Sequence, residues 1–428
     1  MLARVLLLAC LAVAVGCDKP DHDNIEKWSH TQKGPEKLKK ALGNESIDAD
    51  LSAHAAAVMY RRGDEREVKA AFEAMAPARR ADVAARLAPR LWEIARVENE
   101  KDLPRAEQVA AKDALVRVRG WAPPPVQQQI DGYLIDWYCV ASYEDRAKAG
   151  AVQGPVAMRL VGPPAAKRLM SVANSVIAAP GQTAQKNRVG DNLLRGLAAT
   201  GSPEAVKYVL DVARMDRGDA TLALRAVSAL YEAYVDPNGA FQPADPAALV
   251  PNLPALADLA KDDAQKPRIT NDAVALIRMT GAPTCLAPLV GMIGASHRVP
   301  EFKFVVANNA LKCGGAAAIL DVVHALPETA SYDRTQVMQE ISGEIAKLTP
   351  RDQVLAAART LLGEKSTLGK WVAIETLAAM KSADDAPAIA ALGTSHERLV
   401  GYWGDEQGKD DPTLGQRAKE LAAGLGGK

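Results

Sequence analysis

Residues capable of acid–base, nucleophilic or metal chemistry occur throughout this 428-residue sequence, but their spacing does not gather them. The six histidines, His22, His30, His54, His297, His324 and His396, are scattered. None belongs to a His-Glu-x-x-His helix, and no Gly-x-Ser-x-Gly elbow is present. His22 and His30 lie near Asp21 and Asp23, yet the interval matches no zinc spacing, so no metal is expected. Residues 363–370 (GEKSTLGK) and 424–428 (GLGGK) imitate a phosphate loop but lack its closing hydroxyl, and they read as a loop and a tail. The carboxylate pairs Asp262-Asp263, Asp384-Asp385 and Asp410-Asp411 are adjacent, so their side chains diverge instead of converging on one bond. They read as cap and loop charges. No catalytic residue, cofactor or small-molecule substrate emerges, and the expectation is a protein that is not an enzyme.

The five cysteines carry more information. Cys10 falls in the leader and Cys17 at its end, which leaves Cys139, Cys285 and Cys313, an odd number that excludes complete intramolecular pairing. Cys285 opens one helix and Cys313 ends another, so a bond between them is open in an oxidising compartment. Free cysteine packs as a small hydrophobe, which favours three buried single thiols.

Residues 1–16 form a targeting segment: Arg4 supplies the positive start, residues 5–15 an apolar run too short to span a bilayer, and small residues precede Cys17. The run Ala14-Val15-Gly16-Cys17 resembles the lipobox of bacterial lipoproteins, with alanine where leucine is commonest. That resemblance implies cleavage before Cys17 and lipidation of its sulfur, hence anchorage to a membrane and exposure to the periplasm. Asp18 resembles the inner-membrane retention signal of enterobacterial lipoproteins, while other bacterial groups follow different rules. Residues 17–34 are polar and read as a membrane tether, with Ile25 and Trp28 available to dock on the body.

The elements that would position any site are set by a repeat. Residues 192–214 (NLLRGLAATGSPEAVKYVLDVAR) read as two short helices around Thr200-Gly201-Ser202-Pro203: glycine takes the left-handed turn, serine caps and proline opens the second helix. Val206, Val209, Leu210 and Ala213 line one face of that second helix. The pattern returns 80 residues later (286 minus 206) at Leu286, Leu289, Val290 and Ile293, after Gly281-Ala282-Pro283. Intermediate and further copies are Leu253, Leu256, Ala257 and Ala260; Ile319, Val322, Val323 and Leu326; and Val354, Ala357, Ala358 and Leu361. Backwards the register meets Leu169, Val172, Ala173 and Val176, then Ile130, Tyr133, Leu134 and Trp137, then Val68, Ala71, Phe72 and Met75. Each pair can bury its stripe only against its neighbours.

The Gly-x-Pro corners with a Leu or Val stripe on the second helix resemble HEAT repeats. This implies an all-α, right-handed alpha-solenoid of stacked antiparallel helix pairs, a HEAT-like or armadillo-type superhelix. The expected organisation is leader 1–16, tether 17–34, N-terminal helical repeats 35–122, repeat array 123–400, and a C-terminal loop and capping helix 401–428. Residues 120–125 (GWAPPP) mark the soft boundary within the body.

Function then rests on surfaces. Formal charge is +0, with 52 basic and 52 acidic residues, so no overall field recruits nucleic acid. The exposed position five residues into each second-helix register reads Asn174, Asp211, Asp258, Gly291, His324 and Arg359. It changes sign along its length, and Asp211, Asp258, His324 and Arg359 are the candidate partner-binding residues. Residues 401–405 place Tyr402 and Trp403 in a second candidate patch. The expected function is a lipid-anchored scaffold or adaptor for protein partners at the bacterial cell envelope. The alternative is a catalytic HEAT-like protein resembling alkylpurine DNA glycosylases or phycobilin lyases, disfavoured by the leader and the neutral charge.

Overall fold

The structure, a computed structural model, describes residues 19–96, 106–178, 189–215, 221–236, 238–239, 242–262, 264–295, 300–326, 335–399 and 410–426. It divides into two units, residues 1–200 and 201–428. Both are all-α among the described residues, where the one β feature is an isolated bridge between Arg398 and Thr413.

In the first unit the chain forms α1 (His22–Trp28), α2 (Gly34–Gly43), α3 (Ala49–Arg62), α4 (Glu65–Ala74), α5 (Pro77–Ala95), α6 (Ala106–Arg119), α7 (Pro124–Tyr138), α8 (Tyr143–Ala147), α9 (Gly154–Val161), α10 (Ala166–Ala178) and α11 (Asp191–Ala199). α3 shows how local chemistry sets its bounds. Asp48 accepts the backbone N–H of Asp50 at its start, and Gly63, at φ 83°, closes its end with bonds to Met59 and Tyr60 carbonyls. α3 packs between α2 and α5, so its alanine-rich sequence is buried almost all round, from Ser52 to Tyr60.

The polar stretch 17–34 contains α1, whose Ile25 and Trp28 are buried against α2 and α3, because two large apolar side chains suffice to dock one short helix. The division between the two units falls at 200/201. Across the 120–125 corner Trp121 stacks on Phe72 at 4.5 Å, and Arg119 grips Asp131 with two hydrogen bonds, so that corner is a packed bend.

A buried polar lock holds the turn before α9. The Lys112 side chain is fully buried, and its Nζ donates to Asp113 Oδ1 and to the carbonyls of Ala149 and Val152, while facing the rings of Trp137 and Tyr138. Asp113 in turn accepts the N–H groups of Ala151 and Val152. Burial pulls the Lys112 ammonium below its usual range, against the opposing pull of Asp113. Every donor of the ammonium has a partner, which is the condition for burying such a charge.

The second unit contains α12 (Pro203–Ala213), α13 (Leu222–Tyr234), α14 (Leu253–Lys261), α15 (Pro267–Met279), α16 (Leu286–Ala295), α17 (Pro300–Gly314), α18 (Ile319–Ala325), α19 (Thr335–Ala346), α20 (Arg351–Gly363), α21 (Thr367–Ala379), α22 (Ala386–Ala391) and α23 (Leu414–Gly426). They alternate between two rows. α13, α15, α17, α19, α21 and α23 stack in sequence, and α12, α14, α16, α18 and α20 stack beside them. This every-other-helix contact, with antiparallel partners between, is the solenoid arrangement. The register residues lie inside: Val206, Val209 and Leu210, then Leu256 and Ala260, Leu289 and Ile293, Ile319, Val322 and Val323, and Val354, Ala358 and Leu361 are all buried.

The corners share a start and differ in their ends. Gly162, Gly201 and Gly281 all take positive φ, 78°, 66° and 75°. Pro203 then enters α12 directly, with Ser202 Oγ accepting the N–H of Ala205, whereas Pro163 opens a 3-10 turn and Pro283 lies in a turn three residues before α16. The described part of the turn-rich residues 236–246 leads into a 3-10 helix, Pro246–Asn252, ahead of α14. At the C-terminus α23 is capped reciprocally: Thr413 N–H donates to Gln416 and Gln416 N–H donates to Thr413 Oγ1.

Cys285 and Cys313 form a disulfide, with Cα atoms 6.3 Å apart, and Cys139 stays a buried thiol. The expectation of three single thiols is thereby corrected: neighbouring helices bring the end of α17 over the start of α16, a juxtaposition invisible in the odd cysteine count. Closing a loop of sequence separation 28 stabilises by roughly 3–4 kcal/mol. Thiol titration of the unfolded, non-reduced chain bearing Cys17→Ser and lacking the leader is expected to find one reactive cysteine. Three would contradict the pairing.

Candidate functional site

The exposed column sits on the second helices as expected, but its members differ in how they are held. Asp211 accepts Lys207 one turn away on α12 at 2.6 Å, an exposed pair. Asp258, on α14, is 73 % exposed and lies 3.6 Å from Arg214 at the end of α12. His324, on α18, meets Glu364 just past α20 at 3.0 Å. Arg359, on α20, donates in a fork to both Asp385 oxygens at 2.8 and 3.0 Å, and Asp385 also accepts the Ser382 hydroxyl. Arg359 therefore holds the Asp385 carboxyl below its usual range, against the effect of burial.

Three of these contacts run from one repeat to the next. Such ties resist sliding of neighbouring pairs, but an exposed ion pair contributes only about 0–1 kcal/mol. Asp211, paired only within α12, and Asp258, whose tie to Arg214 is the longest and most exposed of the three, are the column members least committed to the stack. Gly291 and Asn174 are exposed as well, Asn174 in the first unit. Cys17, residues 401–405 and His297 lie outside the described residues.

The motif look-alikes resolve into structure. Residues 363–370 run from the end of α20 through a three-residue turn, 364–366, into the first turn of α21, where Ser366 Oγ accepts the N–H of Gly369 as a helix cap. No group of three or more His, Cys, Asp or Glu side chains among the described residues has a metal-binding arrangement.

Sequence reasoning missed one cluster because its members are 32 residues apart. His22 on α1 and His54 on α3 approach through their Nδ1 atoms at 2.8 Å. His54 Nε2 faces Glu26 at 2.7 Å, and Glu26 is also gripped twice by Arg61. His22 Nε2 lies 3.3 Å from Asp50, which receives two bonds from Arg90. A single proton between the two Nδ1 atoms makes this a hydrogen bond, whereas two protons would set donor against donor. Burial, with Arg90 and His22 nearby, pulls His54 below its usual value against the pull of Glu26.

Beside α1 lies a cleft of about 430 Å³ lined by Asn24, Lys27, Trp28, Thr31, Gln32, Lys33 and Lys37. Lys37 Nζ sits 5.6 Å from the centre of the Trp28 ring. Its basic character is spread over a helix, a turn and the next helix, so no contiguous motif announced it.

No protein-family model and no curated protein matches the chain. Among solved structures, it is similar to human deoxyhypusine hydroxylase in complex with glycerol at 14% identity, covering 80% of this chain and 96% of that one, with a TM-score of 0.23. An engineered protein aligns at 15% identity, covering 90% and 98%, with a TM-score of 0.31. A mutant of the karyopherin Kap121p aligns at 10% identity over 97% of this chain and 41% of that one, with a TM-score of 0.35. The assignment to the all-α solenoids rests on the helix stacking described above.

The histidine contact generates a pH dependence of fixed sign. A base whose folded value is depressed binds its proton more readily once released, so the contribution of His54 is complete above about pH 6.5 and is lost as pH falls through the folded value. Amide exchange in residues 22–28, corrected for intrinsic rates, is expected to accelerate relative to residues 49–62 between pH 7 and 5. Substituting His54→Asn should remove that acceleration, and a pH-independent ratio in the unmodified chain would contradict it.

Proposed function

We propose that this protein is a lipid-anchored, non-enzymatic scaffold that uses its helix-pair solenoid to bind protein partners at the bacterial cell envelope. The observation that carries the proposal is the contrast along the second helices: Leu, Val, Ile or Ala recur beneath the surface, while Asp211, Asp258, His324 and Arg359 differ above it. Stacked repeats of this kind hold varied side chains at regular spacing and bind over many small contacts. The least committed of the four, Asp211 and Asp258, lie on adjacent second helices, α12 and α14, and make the acidic end of the candidate surface.

Two observations support the envelope address. The leader ends on Ala14-Val15-Gly16-Cys17, which resembles a lipobox, and Cys285 and Cys313 are paired, as persists in oxidising compartments. No helix among the described residues is long and apolar enough to cross a membrane, and the proposed attachment is through acyl chains on Cys17. Several acyl chains on one residue anchor stably at about 0.8 kcal/mol per buried methylene.

Reversing Asp211→Lys and Asp258→Lys together is expected to reduce capture of envelope proteins by crosslinked pull-down at least tenfold. Helix content and membrane fractionation should stay unchanged, because exposed substitutions away from caps shift stability by within about 0.5 kcal/mol. Unchanged capture by the double variant would remove this surface as the interface. Equal solubility of wild type and Cys17→Ser after cell fractionation would remove the anchor.

A further inference from the structure

We propose that the lysine-lined cleft between α1 and the start of α2 is a headgroup site that seats the protein on an anionic phospholipid surface. This rests on the lipid-anchored reading above and adds to it a second, electrostatic contact with the same membrane.

The position of the cleft follows from the chain. Asn24 Nδ2 donates to the carbonyl of Lys19 at 2.9 Å and so ties the incoming chain to α1. Cys17 is two residues before Lys19 and therefore within about 7 Å of it along the backbone. An anchor at Cys17 brings α1, and the cleft on its flank, to the bilayer surface.

The chemistry of the lining suits phosphate. Lys27 and Lys33 are exposed on the rim, Lys37 is held over the buried Trp28 ring, and no carboxylate lines the cleft. Gln32 adds a neutral hydrogen-bonding group to the lining, while the Asn24 amide and the Thr31 hydroxyl donate within the fold, to Lys19 and Asp21 and to Trp28. Over residues 19–40 there are six lysines and four carboxylates, a balance of +2 (6 minus 4). One of those carboxylates, Glu26, is paired with Arg61 and His54 on α3. This +2 contrasts with the −2 (0 minus 2) that remains for the rest of a chain whose formal charge sums to +0. A basic patch beside an acyl anchor reinforces it, since the anchor holds the patch at high effective concentration near anionic lipid.

The test uses the full mature chain with Cys17→Ser, so that headgroup binding is read without acyl insertion. It is expected to sediment with phosphatidylglycerol-containing vesicles at least twentyfold better than with phosphatidylcholine vesicles, and to lose that preference as salt is raised. Lys27→Gln with Lys33→Gln should weaken binding about 25-fold, at roughly fivefold per lysine. Lys347→Gln with Lys365→Gln, exposed in the other unit, should change nothing. Circular dichroism checks that each variant is folded. Equal sedimentation on both vesicle types, or an unaffected Lys27/Lys33 variant, overturns the proposal. So does binding of inorganic phosphate at the cleft without binding of vesicles. Palmitate labelling of the unmodified protein reads the anchor separately. A labelled chain whose Cys17→Ser form ignores anionic vesicles rejects the headgroup site and keeps the anchor, whereas an unlabelled chain rejects the anchor and this seating with it.

Discussion

The structure depends on one constraint: each helix pair carries an apolar stripe that it cannot cover by itself. Val206, Val209 and Leu210 on α12 need α13 and α14, and Ile319, Val322 and Val323 on α18 need their own neighbours in turn. Burying a side chain of this size contributes about 1.5–3 kcal/mol, so uncovered stripes would cost more than a chain of ordinary marginal stability can spare. The ends of such a stack must be closed by elements of another kind. In the first unit α1 lays Ile25 and Trp28 on α2 and α3, and in the second unit α23 covers α21 and α22, fixed by the fork between Arg417 and buried Glu375.

Cover between neighbours leaves the outward positions free to vary. Some of that freedom is used to reinforce the stack: Arg359 to Asp385 and His324 to Glu364 reach from one second helix to the next, and the Cys285–Cys313 bond adds a covalent tie between α16 and α17. The rest is available to partners. The functional proposal draws on that division, because Asp211 and Asp258 stand where the stack asks least of them.

The same constraint explains what could be read from the sequence. A stripe recurring at helix-pair spacing is a one-dimensional signal, and the buried residues of α12, α14, α16, α18 and α20 follow it. Positive-φ glycines at 201 and 281 were legible for the same reason, since each turn must reverse the chain within a few residues. What escaped was tertiary. The partners of Arg359 and His324 are 26 and 40 residues away, His22 meets His54 across 32, and Cys285 finds Cys313 across 28. No local pattern encodes those meetings. The polar composition of residues 17–34 concealed α1 because two buried side chains, Ile25 and Trp28, decide its docking while the other residues only solvate it. Likewise Trp121, beside the prolines at 123–125, stacks on Phe72, 49 residues earlier (121 minus 72).

The central claim is that partners are bound on the variable surface of the second helices. Photo-crosslinking in the intact envelope tests it most directly, with a photoreactive residue placed at Asp258 in one strain and at Arg268 in another. Both side chains are more than two-thirds exposed, but Arg268 belongs to α15, in the other row. A specific protein crosslinked from position 258 and absent from position 268 is the predicted result. The same products from both positions, or products from 268 alone, would contradict it.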